Sequence, residues 1–252
     1  MAHPLALTGE RTLPGVRGEE YWFARHEAAY RWVATTFADR LDGAVVVEAG
    51  SGEGYGAALL REAGAATVVA LEYDDAAVAH AGAAYPQVST ARANLAALPL
   101  TPGRADLLVS MQVVEHLWDL AAFLRDSLSA LRPGGLVVLS TPNRPVFSPG
   151  LGRGEKPTNP FHVEELDAQQ LADRLGTAGF TDVVVRGLHH GPRLLTWESE
   201  HAIGLVPAQV SAALSGHPDP EVESFVATVT ADDFVMGTAA DAHDLVATAM
   251  RP

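Results

Sequence analysis

The chain has no cysteine. That excludes disulfides and thiolate chemistry, and it agrees with a reducing, cytoplasmic setting. No apolar run is long enough to span a bilayer. The opening residues, Met1 to Arg11, lack the basic start and apolar core of a secretory leader. No internal repeat is present. Positive charge is scarce: 17 Lys and Arg stand against 31 Asp and Glu, for a formal net charge of −14. A chain this acidic is a poor partner for phosphate backbones, which disfavours nucleic acid as a substrate. What remains is a chain of 252 residues, 48% hydrophobic, enough for one domain with a sizeable core.

The informative stretch runs from Ala44 to Gly56. Ala44-Val45-Val46-Val47 is apolar without alternation and β-branched from Val45 to Val47, which predicts a strand buried on both faces of a parallel sheet. Glu48 ends it, and Gly50, Gly52 and Gly54 follow at every second residue, with Ser51 between the first two. Ala57 to Arg61 then favour helix. Strand, glycine turn and helix let backbone approach a ligand at the sheet's carboxyl edge. Gly52-x-Gly54-x-x-Ala57 fits the loose dinucleotide pattern, but the run already starts at Gly50 and is preceded by an acid, which argues against a nicotinamide cofactor. A bare tight turn is the plain alternative.

Glu19 to Asp39 is predicted as a helix whose aromatics either dock it on the core or cover the site as a cap; His26 reads as structural. Thr67 to Leu71 is a second buried strand, ending at Glu72 and Tyr73. A carboxylate at that tip, about two dozen residues past the first glycines, can accept both hydroxyls of a ribose. Val88 to Ala91 is a weaker third strand, followed by Asn94 and Leu95. Asp106 to Ser110 is the fourth, running into Gln112, Glu115 and His116 at the topological switch point of a doubly wound sheet, where ligands bind. Leu136 to Ser140 is the fifth.

Residues 144–165 form a proline- and glycine-rich lid loop that carries His162. Asp182 to Val185 is the sixth strand. Gly187 to Arg193, with His189 and His190, opens an irregular or helical insertion; the histidine pair reads either as surface or as a binder of substrate hydroxyls. Asp244 to Met250 is an antiparallel closing strand. The predicted fold is a seven-stranded, mostly parallel α/β sheet with one antiparallel strand and helices on both faces. Residues 1–40 form a cap region, 41–187 the core, and 188–252 the insertion and closing strands.

The acid followed by Gly-x-Gly-x-Gly resembles the first motif of class I S-adenosylmethionine-dependent methyltransferases. In that family the loop wraps the methionine end of the cofactor, an acid like Glu72 holds the ribose, and an acid or amide at the position of Asn94 meets the adenine. The Leu131-Arg132-Pro133-Gly134-Gly135 turn is also frequent there. The resemblance implies S-adenosylmethionine as cofactor, with Glu48, Gly50, Ser51, Gly52, Gly54, Glu72, Tyr73, Asn94, Leu95 and Gln112 around it.

Gln112, Glu115 and His116 are similar to the Glu-x-x-Glu-His of ubiquinone-pathway O-methyltransferases and of plant small-RNA 2′-O-methyltransferases, where these residues hold a divalent metal. In the RNA enzymes a later histidine completes the site, and His162 matches it. Here Gln112 replaces the first acid, which removes a charge and weakens a Mg²⁺ site. Two readings stay open: Glu115, His116 and His162 as metal ligands with Gln112, or His116 or His162 as a metal-free general base. Either serves an alcohol, a weak acid whose proton must leave as the methyl arrives.

Nearly the whole chain, including Tyr21-Trp22-Phe23 with Arg25-His26, Thr141 to Gly150 and His190 to Leu194, also resembles actinobacterial methyltransferases associated with O-methylated glucose polysaccharides or with the mycofactocin glycan. That implies a glucose-containing saccharide as acceptor. Phenols and other small natural products form the alternative class, and a catalytically silent cofactor-binding protein is the alternative outside enzymes. The oligomeric state is not legible.

Overall fold

Consecutive residues of a strand face opposite ways, so a strand with no polar alternation needs cover on both faces. The computed structural model, which describes residues 11–215, 217 and 219–252, supplies that cover. Met1 to Glu10, within the cap region expected over residues 1–40, lie outside the described residues.

In chain order the elements are α1 (Glu20–Thr36), α2 (Ala38–Leu41), β1 (Val45–Ala49), α3 (Tyr55–Glu62), β2 (Thr67–Glu72), α4 (Asp75–Ala84), β3 (Ser89–Arg92) and β4 (Ala105–Met111). They continue with α5 (Leu120–Ala130), β5 (Leu131–Pro142), α6 (Arg144–Phe147), α7 (Ala168–Ala178), β6 (Thr181–His190) and α8 (Pro192–Glu200). The chain closes with α9 (Leu205–Ser215), α10 (Pro220–Val226), β7 (Phe234–Thr238) and β8 (Asp244–Met250).

Among the described residues one sheet holds the strands, in the order β3-β2-β1-β4-β5-β8-β6-β7. Alternation splits its neighbours cleanly. Val46, Leu107 and Val138 join the helix α1, α2 and α3 side with Val33, Leu41 and Leu60. Val47, Leu108 and Val137 join the other side with Phe123 and Leu124 of α5 and Leu171 and Leu175 of α7. A third apolar cluster gathers Tyr21, Trp197, Val226 and Phe234, where α8 and α10 pack near the start of α1.

The mostly parallel sheet with helices on both faces matches the expectation, with two differences. The sheet has eight strands rather than seven, and two strands, β7 and β8, run against the rest. β7 is short, half-exposed and contains Gly237, so it lacks the buried β-branched run that marks a central strand. The second difference concerns β6. It continues through His189 and His190, where an irregular insertion was expected. Leu188, His189 and His190 pair with Met236, Val235 and Phe234 of β7.

Antiparallel pairing has a positional consequence. β8 starts where β5 ends, with Pro142 opposite Asp244. The first residue of β8 therefore joins the ends of β1, β2, β4 and β5 at the carboxyl edge.

Candidate active site

β1 ends at this edge and the glycine loop turns there. Gly50 and Ser51 N–H both donate to Leu71 O, at 2.8 and 3.0 Å, which ties the loop to β2. Gly52 has φ +54°, and a Cβ there would meet nothing within 4 Å, so its backbone lies bare toward open space. Its N–H donates to Glu72 Oε2 at 2.9 Å. Glu72 Oε1 accepts from Tyr73 and Asp74 N–H at 2.8 and 3.0 Å. Oε1 is filled by these two bonds, and Oε2 keeps one acceptor site, enough for a ribose hydroxyl. An open cleft of about 720 Å³ is lined by Gly50, Ser51, Gly52, Glu53, Glu72, Met111, Gln112 and His116, and also by Arg11, Thr12, His26, Tyr30 and Tyr55. Bare backbone, a strand-tip acid and an open cleft fit a nucleoside cofactor.

Glu48 lies beneath the loop, fully buried. Tyr30 Oη donates to its Oε1. Gly56 is required here, since a Cβ would overlap both Tyr30 and Glu48. Burial raises the Glu48 pKa to about 8, against the opposing Tyr30 hydrogen bond. Glu48 is thus mostly protonated at neutral pH, and its Oε2 has no protein partner.

β4 delivers the second half of the site. Gln112 takes a left-handed conformation, φ 55°. Its Nε2 donates to Ser140 Oγ and Asp244 Oδ1, each at 3.2 Å. A single 3₁₀ turn, Val114–His116, then carries Glu115 and His116. Glu115 is buried, and Thr141 Oγ1 donates to its Oε2 at 3.0 Å. Burial raises its pKa to about 7, helped by the Asp244 charge and opposed by His162 and Thr141.

The segment after the lid is clipped onto this turn. Val163 and Glu164 N–H donate to Glu115 O at 2.7 and 3.2 Å. His116 Nδ1 lies 3.1 Å from Phe161 O. His162 Nδ1 lies 2.7 Å from Glu165 Oε1, and Asn159 Nδ2 lies 3.1 Å from His162 Nε2. A carbonyl and a carboxylate can only accept, so both rings carry Nδ1–H and hold their lone pair on Nε2. One donor atom each from Glu115, His116 and His162 lies within 4.8 Å of the others. Ligands about 2.1 Å from one ion stand at most about 4.2 Å apart, so these three need a modest contraction to hold a divalent cation.

The sequence pointed to Gly50, Ser51, Gly52, Glu72, Gln112, Glu115, His116 and His162, and the structure brings them to one edge. Asn94 is exposed, with Oδ1 accepting from Ala96 N–H at 3.0 Å, and Leu95 is buried in the core. Tyr73 is exposed. Gly54 turns the loop into α3 as its N-cap. His189 and His190 lie on β6, apart from the cleft lining. His189 Nε2 is 2.7 Å from Thr238 O. His190 is buried, 2.6 Å from Tyr21 Oη and 3.0 Å from Glu198 Oε2. Missed by sequence reasoning were Tyr30 and His26 on α1, Asp244 on β8, and Glu165. Only Glu165 had a local signal, its spacing of three from His162.

The family model for the methyltransferase domain matches residues 21–185. The chain is 46% identical to a probable S-adenosylmethionine-dependent methyltransferase of Mycobacterium tuberculosis, over 98% of this chain and 90% of that one. It is 28% identical to a ubiquinone biosynthesis O-methyltransferase of Methylobacterium nodulans, over 51% of this chain and 55% of that one. Among solved structures, an S-adenosylmethionine-dependent methyltransferase of Thermotoga maritima superposes with a TM-score of 0.60 at 17% identity, over 92% of this chain and 94% of that one. The fold is the Rossmann-like methyltransferase fold. The chain belongs to the S-adenosylmethionine-dependent methyltransferases.

Proposed function

We propose that the methyl acceptor is a hydroxyl oxygen of a glucose-containing saccharide. The observation that carries an oxygen acceptor is the convergence of Glu115, His116 and His162 beside the cleft, with His116 in its wall. A relative over half the chain is named an O-methyltransferase, in agreement with oxygen chemistry. The saccharide rests on the resemblance of the N-terminal aromatics, the Thr141 to Gly150 segment and the His190 to Leu194 segment.

In this reading Glu48, Gly50, Ser51, Gly52, Gly54 and Glu72 seat the cofactor. Gln112 closes its methionine end, while Tyr73, Asn94 and Leu95 border the adenine end. The cofactor supplies a methyl activated on a sulfonium. The acceptor hydroxyl sits against the cluster and gives its proton to His116 Nε2 as the carbon–oxygen bond forms in line with the breaking carbon–sulfur bond. Glu165 holds His162 in the tautomer whose lone pair is on Nε2, where Asn159 Nδ2 meets it and a cation or acceptor proton would take its place. In the alternative reading, a divalent cation held by Glu115, His116 and His162 would occupy the His116 Nε2 lone pair and lower the pKa of that hydroxyl in place of the base. One carboxylate with two imidazoles suits Mn²⁺, Fe²⁺ or Zn²⁺ better than Mg²⁺, because Mg²⁺ favours an all-oxygen shell.

The test is methyl transfer from radiolabelled S-adenosylmethionine to linear glucan oligosaccharides and to simple phenols, with chelator and with each metal restored. Label on the glucan is the expected result. Label on phenols alone moves the assignment to a phenol acceptor.

A further inference from the structure

Two large apolar side chains stand in solvent next to the reactive cluster. Trp118 is 90% exposed and Phe161 is 58% exposed. An isolated exposed apolar ring is ordinary, but two exposed rings on the two segments that meet at one polar cluster call for an occupant. Phe161 lies directly before His162, and its carbonyl is 3.1 Å from His116 Nδ1. Trp118 lies two residues past His116, so its Cα is within about 8 Å of the histidine's. The two segments are joined through Glu115 O, His116 and the neighbouring imidazoles, whose centroids are 5.0 Å apart. The exposed rings are left out of these links, and neither packs into the core clusters.

The geometry points to Trp118 and Phe161 as an acceptor platform that stacks pyranose rings of a sugar chain on either side of the reacting hydroxyl. This deepens the saccharide reading given above and rests on it. A pyranose presents C–H groups on its faces and hydroxyls around its rim. An exposed indole or phenyl ring takes the face and leaves the rim in water, and indole N–H adds one donor for a rim oxygen. A small phenol would instead be enclosed, since compact ligands bury most of their surface in a pocket. Rings that lie outside the cleft therefore serve an acceptor longer than its reacting unit. Continuity with the cleft comes through His116, which lines it.

The experiment is calorimetric binding of linear glucan oligosaccharides of increasing length to the protein saturated with S-adenosylhomocysteine. Wild type is compared with Trp118→Ala, Phe161→Ala and Trp118→Phe. The expected result is affinity that rises with chain length, falls about tenfold in each alanine variant, and is largely kept in Trp118→Phe. S-adenosylhomocysteine affinity stays unchanged in all of them, which reports an intact fold and cofactor seat. Equal affinity in wild type and alanine variants overturns the platform, as does failure of wild type to bind any oligosaccharide. Binding that weakens as expected, but with no methyl ever transferred to the glucan, keeps the platform and sinks the saccharide methylation. Methyl transfer with the same KM in Trp118→Ala does the reverse.

Discussion

Arg25 of α1 and Asp244 of β8 form a buried ion pair, with Arg25 Nε donating to Asp244 Oδ2 at 2.5 Å. Burial opposes the charge on Arg25, but Asp244 outweighs it and raises the arginine's pKa. The guanidinium also lies over the Phe147 ring, 4.7 Å from its centroid. One residue thus joins the cap helix, the start of the lid and the interior strand β8, and Asp244 passes the constraint to Gln112.

Removing one partner of a buried pair strands the other charge. Arg25→Ala is therefore expected to destabilise the protein by about 3–5 kcal/mol. That lowers Tm by roughly 10 °C for a chain of this size. The double change Arg25→Met with Asp244→Leu is expected to recover most of the loss, because it leaves no orphaned charge. Thermal unfolding of the three proteins measures this; a double variant as unstable as the single one would mean packing, not charge, sets the cost.

Glu48 makes stability depend on pH in a direction opposite to most carboxylates. Its folded pKa of about 8 exceeds the ordinary 4.5, because burial disfavours the anion. The folded state therefore binds the proton more tightly than the unfolded state. The stabilisation is full below pH 4.5 and is lost as pH rises through about 8. Urea unfolding of the cofactor-free protein across that window is expected to show wild type losing stability relative to Glu48→Gln. A constant difference between the two would rule out a titrating Glu48.

What could be read from sequence was what is local. The Val45–Val47 run, the alternate glycines and the Gln112 to His116 turn sit within a few residues of one another, so pattern alone placed them at a strand's carboxyl end. His162 was reached through resemblance, because its place beside His116 depends on backbone clips between Glu115 and the post-lid segment. Asp244 and Arg25 were illegible for a topological reason. Only the antiparallel return of β8 brings Asp244 to the same edge. His190 read as a loop residue because Gly187, Gly191 and Pro192 punctuate it. The strand persists because Gly187 pairs with both Gly237 and Leu245.

Glu72 binds three backbone N–H groups that belong to the glycine loop and the β2 tip. In the proposed seat its Oε2 also accepts a ribose hydroxyl. Glu72→Ala removes one charge-assisted hydrogen bond to the ribose, worth about 1.5–3 kcal/mol, so S-adenosylhomocysteine affinity should fall between about 10- and 100-fold. Calorimetry measures it directly. Unchanged affinity would place the ribose elsewhere.

His162 and Glu165 separate catalytic from positioning roles. If His162 Nε2 serves the acceptor oxygen as a base or a metal ligand, His162→Ala lowers kcat by roughly 10²–10⁴-fold. S-adenosylhomocysteine affinity stays at the wild-type value, since His162 is not part of the cleft lining around the glycine loop. Glu165 is 3% exposed and acts on the acceptor only through the ring it orients. Glu165→Gln keeps an acceptor oxygen for His162 Nδ1–H but loses the negative charge that makes the imidazole more basic. A smaller fall in kcat is expected, with Tm and KM for the acceptor unchanged. A purely structural Glu165 would lower Tm in step with activity, so the comparison of kcat with Tm decides between the two roles.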